Sequence, residues 1–284
     1  MLDRATVRRR FARAAPRYGE ASRLEAEVGA RMLERLEYIK LRPQRVLDAG
    51  CGPAREAAAL SARYPGSSVV LLDVALPMLR TALPARSKFS RMLRRERRLP
   101  VCAEMERLPL AAASVGLAWS NMALHWAADP VRAIAELHRV LVPGGLLILS
   151  TLGPDTLKEL RAIAGPARVH SFTDMHDVGD QLVAAGFTDP VMEAERLTLT
   201  YAASDVLLAD LRASGQTCAL TARARGLSGR RFLARLREAL DAGRRDGRLA
   251  ATFEVVYGHA WKPLSPSRTS DGRAIVRFER KRTR

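Results

Sequence analysis

Short apolar runs alternate with segments of helical spacing along most of the chain. The runs that predict strands are residues 45–50, 68–73, 100–104, 115–121, 146–151, 191–197 and 253–261. The first five are mostly continuous apolar runs, which are typical of strands buried on both faces of a parallel sheet. Helical spacing lies between them, for example over residues 56–64 and 131–141. The pattern therefore predicts an α/β fold with a seven-stranded sheet and helices on both of its faces.

Two helical regions stand outside this alternation. Residues 22–39 precede the first strand, and together with the basic, amphipathic start of the chain they predict an N-terminal helical cap over residues 1–40. A second helical region separates the last two predicted strands. We interpret it, at about residues 203–248, as a helical segment inserted into the sheet domain, and call it the lid insertion.

The last residues of the chain differ in composition from the rest. Residues 263–284 are rich in basic residues, Pro and Ser, with one short strand predicted at 274–278. Such a terminal segment is expected to be loosely held. We therefore predict a single domain over residues 1–262, followed by a basic tail.

Composition argues against several classes of protein. No apolar run reaches the roughly 18–20 residues that a membrane span needs, and the basic start lacks the apolar core of a secretory signal. Three cysteines without a CxxC pair fit a reducing compartment, so we expect a cytoplasmic protein. The five histidines show no metal-ligand spacing, and we expect no metal site.

The charge balance is strongly basic. The chain carries 47 Lys and Arg against 30 Asp and Glu, a net charge of +17, and almost all of the basic residues are Arg. A compositional bias toward Arg and Ala explains much of this excess. An acidic protein partner or a nucleic acid would explain it too. Aromatic residues are only 5% of the chain and do not interleave with the basic runs, which weakens the case for nucleic acid.

The stretch VLDAGCGPAREAAAL contains most of the first predicted strand, a loop and the start of a predicted helix. Gly50 and Gly52 stand two apart after the first predicted strand, where they let the backbone pass close to a ligand. In an open α/β sheet this loop is the natural ligand site. A dinucleotide fingerprint would place its third glycine at Arg55, so NAD binding is disfavoured.

Acidic and polar residues follow in order at the ends of the next predicted strands. Asp73 ends the second strand, where a carboxylate can accept hydrogen bonds from both hydroxyls of a ribose. Glu104 and Met105 end the third, where they suit the amino group and the ring face of an adenine. Asn121 ends the fourth. This ordered set suits S-adenosylmethionine (SAM) as the ligand.

With these residues the chain resembles the class I SAM-dependent methyltransferases, and more specifically the malonyl-acyl-carrier-protein O-methyltransferases of biotin synthesis. The resemblance runs from about residue 8 to 263, and GPDTLKELR and SNMALHW are its more specific stretches. It implies a Rossmann-like sheet with an N-terminal helix, a helical lid and SAM as cofactor. The expected cofactor-binding residues are Asp48, Gly50, Cys51, Gly52, Asp73, Val74, Met78, Glu104, Met105 and Asn121.

The chain departs from the family pattern at several positions. Ala54 stands where the family usually has Gly, Glu104 replaces the usual Asp, and Gly116 stands where an Asp is expected. These departures allow weaker SAM binding, and they keep a non-catalytic SAM-binding homologue open as an alternative.

The chemistry that the resemblance implies is methyl transfer to the free carboxylate of a malonyl thioester on acyl carrier protein. That carboxylate is already ionised near pH 7, so we expect no dedicated catalytic base. The protein has to align the reacting atoms and exclude water. We expect Tyr18 and His125 to position the substrate, and Trp126, His170, Arg223 and Arg225 to bind it.

Each of these assignments has a structural alternative. The aromatic residues could be core, the histidines could be satisfied by backbone, and the arginines could be solvated charges. The resemblance implies that the carrier protein is acidic. A basic rim on the lid insertion would then attract this protein to the site.

Other functions compete with the first. The methyltransferase relatives that assemble mitochondrial complex I and modify a protein Arg share the HW and DTLxELR patterns. A methyltransferase acting on nucleic-acid bases is disfavoured, because SNMA follows the fourth strand in place of a motif such as Asn-Pro-Pro-Tyr. We expect a monomer.

Overall fold

The computed structural model of the protein describes residues 1–82, 98–223, 226 and 229–264, with two short strands in the tail. The helices of this part are α1 (Arg4–Ala21), α2 (Arg23–Glu37), α3 (Ala57–Arg63), α4 (Leu76–Ala82), α5 (Pro130–Val140), α6 (Lys158–Ala164), α7 (Met175–Ala184), α8 (Ser204–Ala213) and α9 (Arg230–Ala242). The strands are β1 (Arg45–Ala49), β2 (Ser68–Asp73), β3 (Arg98–Cys102), β4 (Val115–Ser120), β5 (Leu141–Leu152), β6 (Thr188–Tyr201), β7 (Leu249–Trp261), β8 (Ser267–Arg268) and β9 (Ala274–Ile275).

The main sheet has seven strands in the order β3-β2-β1-β4-β5-β7-β6. Strands β1 to β5 run parallel, and β7 lies antiparallel between β5 and β6. The order reverses beside β1, so the loops that follow β1 and β4 open a crevice at the carboxyl edge of the sheet. The predicted α/β fold with seven strands is confirmed.

Alternate residues of each strand face opposite sides, and so the sheet separates two cores. Val46 belongs to the core on one face, which includes Met32 and Leu36 of α2. Its neighbour Leu47 belongs to the core on the other face, which includes Leu137 of α5. Both faces are therefore covered by helices, and the continuous apolar runs in the sequence follow from this double burial.

Strands β6 and β7, the last two of the main sheet in chain order, are longer than their apolar runs predict. Strand β6 pairs with β7 from Thr188 opposite Trp261 to Tyr201 opposite Leu249. Strand β6 is at the edge of the sheet, and its residues alternate between exposed and half-buried positions. Polar residues therefore continue the ladder beyond the apolar segment, which an apolar-run criterion does not detect.

The third strand ends earlier than predicted. Strand β3 stops at Cys102, so Glu104 and Met105 lie in the following loop and not at the strand end. The predicted strand boundaries were wrong here because β3 is an edge strand whose residues, including Pro100, are largely exposed. Edge position also explains why a proline is tolerated within it.

Helix α1 lies over the carboxyl edge of the sheet and packs against α4 and α8. The residues before it join the lid insertion, because the Asp3 amide donates to the Ala219 carbonyl (2.8 Å) and Leu2 forms a bridge with Leu220. Helices α8 and α9 both lie between β6 and β7, within the span predicted for the lid insertion.

Some predictions fall outside the described residues. These are Arg225 and most of the predicted tail, in which only β8 and β9 are placed. Of the helices that the structure describes, none has both the length and the apolar composition of a membrane span. Within the same residues, no group of three or more His, Cys, Asp or Glu side chains could hold a metal ion.

Candidate active site

The loop after β1 is built on two glycines with left-handed backbone. The amides of Gly50 and Cys51 both donate to the carbonyl of Leu72 in β2, at 2.8 and 2.9 Å. Gly50 has φ +82°, and a Cβ there would lie 2.2 Å from the Cβ of Ala123. Only glycine meets both conditions. The loop therefore turns tightly beneath the β4 loop, and its backbone faces the crevice.

Asp73 connects this loop to the end of β2. Its Oδ2 accepts from the Gly52 amide (2.9 Å) and its Oδ1 accepts from the Ala75 amide (2.7 Å). Burial raises the pKa of Asp73 to about 6, although the two backbone hydrogen bonds oppose the shift. The carboxylate is thus fixed in position, and each oxygen keeps acceptor capacity for a ligand.

The turn after β4 is held by a network of polar side chains. The Asn121 Nδ2 donates to the Glu25 carbonyl (2.9 Å) and to Glu56 Oε1 (3.2 Å). Ser150 Oγ donates to Asn121 Oδ1 and accepts from the amide of Met122, both at 2.9 Å. Met122 itself has φ 51°, a strained conformation for a side-chain residue. The network keeps this turn in a fixed shape at the edge of the crevice.

A pocket of about 770 Å³, partly open to solvent, lies between these loops and helix α1. We call it the cofactor pocket. Its lining includes the predicted residues Tyr18, Gly50, Gly52, Asp73, Val74, Met78, Glu104, Met105, Asn121 and Trp126. The other two predicted cofactor residues, Asp48 and Cys51, are buried outside this lining.

Helix α1 forms one wall of the cofactor pocket, and of its lining residues the sequence analysis anticipated only Tyr18. Arg4, Val7, Phe11 and Tyr18 all line the pocket, and their spacing of three, four and seven residues places them on one helical face. Arg4 also pairs with Glu104 across the pocket at 3.1 Å. The helical spacing of these residues was the available signal in the sequence.

Three buried carboxylates, Glu25, Glu56 and Asp48, lie close to the pocket but outside its lining. Glu25 accepts from the Tyr18 hydroxyl (3.4 Å) and from the side-chain amide of Gln216 in the lid insertion. Burial raises the pKa values of Glu25, Glu56 and Asp48, and one Asp48 oxygen has no hydrogen-bond partner in the structure. The carboxylates that the described lining itself contains are Asp73, Glu104 and Glu106, and their negative charge suits a positively charged ligand.

A second cavity lies on the other side of Trp126, which lines both spaces. It occupies about 1,080 Å³ between the segment after β5 and the helices α8 and α9, and is partly open to solvent. We call it the lid cavity. Most of its lining is apolar, with Leu152, Leu160, Leu208, Leu211 and Leu236 among the residues that form it.

The two predicted histidines meet Trp126 in an aromatic cluster between the cavities. The ring centroid of Trp126 is 5.0 Å from that of His170 and 5.5 Å from that of His125. Burial, with a smaller effect of His170, lowers the pKa of His125 to about 3. Burial and the Arg10 cation lower the pKa of His170 to about 4. Both rings are therefore neutral near pH 7 and supply no positive charge.

Arg223 lies elsewhere than predicted. Its guanidinium donates to Asp3 Oδ2 (3.2 Å) and to Thr6 Oγ1 (2.8 Å), at the first turn of α1. It lines neither cavity, and its side chain is only 18% exposed. The predicted substrate contact is replaced by a structural one, because the acidic N-cap of α1 packs against this part of the lid insertion.

Two of the departures from the family pattern have a structural explanation. Ala54 has φ 55°, and its methyl group packs in the core and not against the cofactor pocket. Gly116 lies at the start of β4, away from the pocket, where a Cβ would approach Pro43 to 2.8 Å. Neither residue contacts the proposed ligand space.

Comparison with known proteins agrees with this fold. The methyltransferase domain model matches residues 47–149. The YcgJ protein from Bacillus subtilis is 16% identical with a TM-score of 0.58, over 83% of this chain and 100% of that one. Phosphoethanolamine N-methyltransferase 2 from Haemonchus contortus, solved with S-adenosylhomocysteine, is 17% identical with a TM-score of 0.51, over 83% and 52%. The strand order, the glycine loop and the acid after β2 define a class I methyltransferase.

Curated relatives give the more specific family. The malonyl-[acyl-carrier protein] O-methyltransferase of Methylovorus sp. (strain MP688) is 51% identical, over 98% of this chain and 95% of that one. The enzyme of the same name from Gallionella capsiferriformans (strain ES-2) is 48% identical, over 98% and 97%. The chain belongs to the malonyl-[acyl-carrier protein] O-methyltransferase family.

Proposed function

We propose that this protein transfers the methyl group of SAM to the free carboxylate of malonyl-acyl carrier protein. The observation that carries the proposal is the pair of cavities that meet at Trp126, one lined by carboxylates and one with arginines as its only charged lining residues in the described part of the chain. A cationic methyl donor and an anionic acceptor need such an arrangement. As a member of its family the protein would act early in biotin synthesis, as a cytoplasmic monomer.

The residues of the cofactor pocket fit SAM. Asp73 offers fixed carboxylate oxygens to the ribose hydroxyls, and Met105 offers an apolar surface to the adenine ring. The carboxylates of the described lining, Asp73, Glu104 and Glu106, suit the positive charge of the ligand. When bound, SAM supplies a methyl group activated by its sulfonium.

The protein's own contribution to the reaction is alignment and exclusion of water. The malonyl carboxylate is ionised near pH 7, so it needs no base to become a nucleophile. The low pKa of His170 leaves its ring neutral, so in the lid cavity it can donate a hydrogen bond without carrying a charge. His125 is neutral too but lines neither cavity, and it packs behind Trp126. Trp126 lines both cavities, so ligands bound in the two would meet at its ring, and this raises the effective concentration of the reacting pair.

The test is transfer of a labelled methyl group from SAM to malonyl-acyl carrier protein by the purified chain. Acetyl-acyl carrier protein is the matched control, because it has the same arm and thioester but no free carboxylate. We expect a base-labile methyl ester with the malonyl form alone. Binding of SAM without ester formation would overturn the proposal in favour of a non-catalytic homologue or another acceptor, such as a protein Arg.

A further inference from the structure

We propose that the lid cavity is the binding site for the phosphopantetheine arm of the carrier protein, with the thioester end against Trp126 and the phosphate at Arg212. The inference rests on the proposed function, because it concerns the arm on which a carrier protein presents its acyl group. The cavity is the space next to the cofactor pocket that could receive such an arm, and the residues that line it match the arm's chemistry in three respects.

The first match is in charge. The described lining residues of the lid cavity include no Asp, Glu or Lys, and their charged members are Arg168 and Arg212. The cofactor pocket, in contrast, is lined by Asp73, Glu104 and Glu106. An exposed cation such as Arg212, in a lining that holds no acid among the described residues, favours an anionic ligand. A malonyl thioester on phosphopantetheine carries such charges at both of its ends.

The second match is in the placement of the cations. Arg212 is exposed at the end of α8, and the structure shows no hydrogen bond or ion pair for its guanidinium within the described residues. Arg168 is half-buried and stacks on the ring of Phe232, with 4.0 Å from its guanidinium carbon to the ring centre. Arg212 is therefore the cation free to bind a phosphate at the entrance, where a planar guanidinium can make two hydrogen bonds.

The third match is at the inner end. His170 Nε2 accepts a hydrogen bond from the Ala219 amide at 2.7 Å. The neutral ring must therefore carry its hydrogen on Nδ1, which makes that atom a donor. His170 lines the lid cavity and packs on Trp126. A donor here suits the carbonyl oxygen of a thioester, and the leucines between the two ends suit the apolar parts of the arm.

The first experiment compares three malonyl thioesters: those of acyl carrier protein, of free phosphopantetheine and of pantetheine without the phosphate. Arg212→Ala is compared with Arg235→Ala, which removes an exposed arginine of α9 that does not line the cavity. We expect Arg212→Ala to raise KM for the phosphopantetheine thioester about tenfold. The KM for the pantetheine thioester should stay unchanged, and Arg235→Ala should leave both unchanged.

The possible results distinguish failure of the proposed arm site from failure of the proposed function on which it rests. If both variants raise KM for the carrier-protein substrate alike and neither affects the phosphopantetheine thioester, Arg212 only steers the acidic protein and the inference is wrong. If the unchanged chain methylates none of the malonyl substrates, the proposed function itself has failed.

The second experiment locates the arm without measuring turnover. Cys218 lines the lid cavity, whereas Cys102 is exposed outside it and serves as an internal control. With S-adenosylhomocysteine in place of SAM, malonyl-phosphopantetheine should slow alkylation of Cys218 several-fold and leave Cys102 unchanged. Equal labelling of Cys218 with and without a saturating thioester would place the arm elsewhere.

A bulky side chain inside the cavity provides the complementary test. Leu208→Trp fills the lid cavity from α8, and Val206→Trp adds the same side chain on the exposed side of that helix. Leu208→Trp should lower kcat/KM for malonyl-acyl carrier protein at least tenfold, with unchanged affinity for S-adenosylhomocysteine. Val206→Trp should change neither value. Full activity of folded Leu208→Trp would contradict the proposal.

Discussion

Ala54 shows how one residue can depart from its family pattern without reaching the site. An L-residue in left-handed conformation costs roughly 1–2 kcal/mol. Burial of the methyl group returns about 0.8 kcal/mol, and the reduced freedom of the unfolded chain relative to glycine returns about 0.4–1 kcal/mol. Because these contributions nearly cancel, alanine at φ 55° is tolerated.

This balance predicts the behaviour of two substitutions. Ala54→Gly should change the free energy of unfolding by less than about 1 kcal/mol, and SAM affinity should stay within twofold because the methyl group does not line the cofactor pocket. Ala54→Val should destabilise by more than about 2 kcal/mol, since a β-branched residue is an outlier at positive φ. Denaturant unfolding and calorimetric titration measure both. A large gain in SAM affinity for Ala54→Gly would show that the methyl group obstructs the ligand.

Asp73 predicts a dependence of cofactor binding on pH. Its pKa in the free protein is about 6, and the ionised form is the one that can accept hydrogen bonds from both ribose hydroxyls. Below pH 6, ligand binding therefore competes with protonation of Asp73. The apparent Kd should rise about tenfold for each pH unit by which the pH falls further. Above pH 7 the affinity should be constant.

The measurement is the Kd of S-adenosylhomocysteine from pH 8 to pH 5. Asp73→Asn should bind weakly at all pH values and should lose this dependence, because its amide has no charge to titrate. The same slope in Asp73→Asn and in the unchanged protein would assign the dependence to another group.

Among single residues, position at a strand end was the signal from the residues themselves that placed several of them at the pocket, whereas Tyr18, Met78 and Trp126 came from the family resemblance. Gly50, Gly52, Asp73 and Asn121 lie at the ends of buried strands or within three residues of them, and parallel strands bring their carboxyl ends to one edge. Arg212 could not be found in this way. It lies in an insertion whose helices have no fixed relation to the sheet until the chain has folded.

At the scale of elements, α1 is the part of the site of which the sequence analysis assigned only Tyr18. Its first turn is capped by Asp3, whose side chain accepts from the amide of Thr6 at 3.0 Å. The backbone hydrogen bond of Thr6 is the main cause that lowers the pKa of Asp3 to about 2. The same Asp3 pairs with Arg223. Helix α1 is thus attached to the lid insertion at its first turn while its apolar face covers the cofactor pocket.

The pairing of α1 with the far wall of the pocket predicts an effect on affinity. Arg4 pairs with Glu104 at 3.1 Å, and both side chains are partly exposed. Arg4→Ala should raise the Kd of SAM about two- to fivefold, as expected for the loss of an exposed ion pair. The difference should shrink at high salt, where such pairs are screened.

Arg8→Ala is the matched control for this prediction. Arg8 lies one turn further along α1, is exposed and does not line the pocket, so its replacement should leave the Kd unchanged. Calorimetric titration at 50 and 500 mM salt measures both variants. An equal effect of the two substitutions would mean that α1 acts through its total charge and not through the contact with Glu104.

The same elements show why the sheet was predicted more accurately than its edges. Strands β1, β2 and β4 are buried on both faces and read as continuous apolar runs. Strands β3 and β6 lie at the two edges, where exposure removes the apolar signal from part of each strand. Hydrogen bonding to a neighbour, which sequence periodicity does not report, then sets their length.

At the scale of the whole molecule, the excess of positive charge predicts how the protein meets its partner. A net charge of +17 should attract an acidic carrier protein over distances that salt shortens. We expect KM for malonyl-acyl carrier protein to rise about fivefold between 50 and 300 mM salt. The KM for malonyl-pantetheine should change less than twofold, since that molecule lacks the acidic protein surface.

Steady-state kinetics with both substrates at each salt concentration provide the measurement. Titration of S-adenosylhomocysteine under the same conditions controls for loss of the cofactor. If KM is independent of salt for both substrates, the basic residues reflect composition alone and take no part in recognition.

The position of Trp126 as the wall shared by both cavities has a consequence for how such proteins can change in evolution. Residues that line the cofactor pocket run from Arg4 to Ala128, and those that line the lid cavity run from Trp126 to Leu236. Apart from Trp126, the described residues of the two linings come from separate stretches of the sequence. The general methyltransferase domain match also ends at residue 149, before the rest of the lid cavity begins. A lineage can therefore change the residues of the later stretch that line the lid cavity, and acquire a new acceptor, while it keeps the residues that line the methyl-donor site.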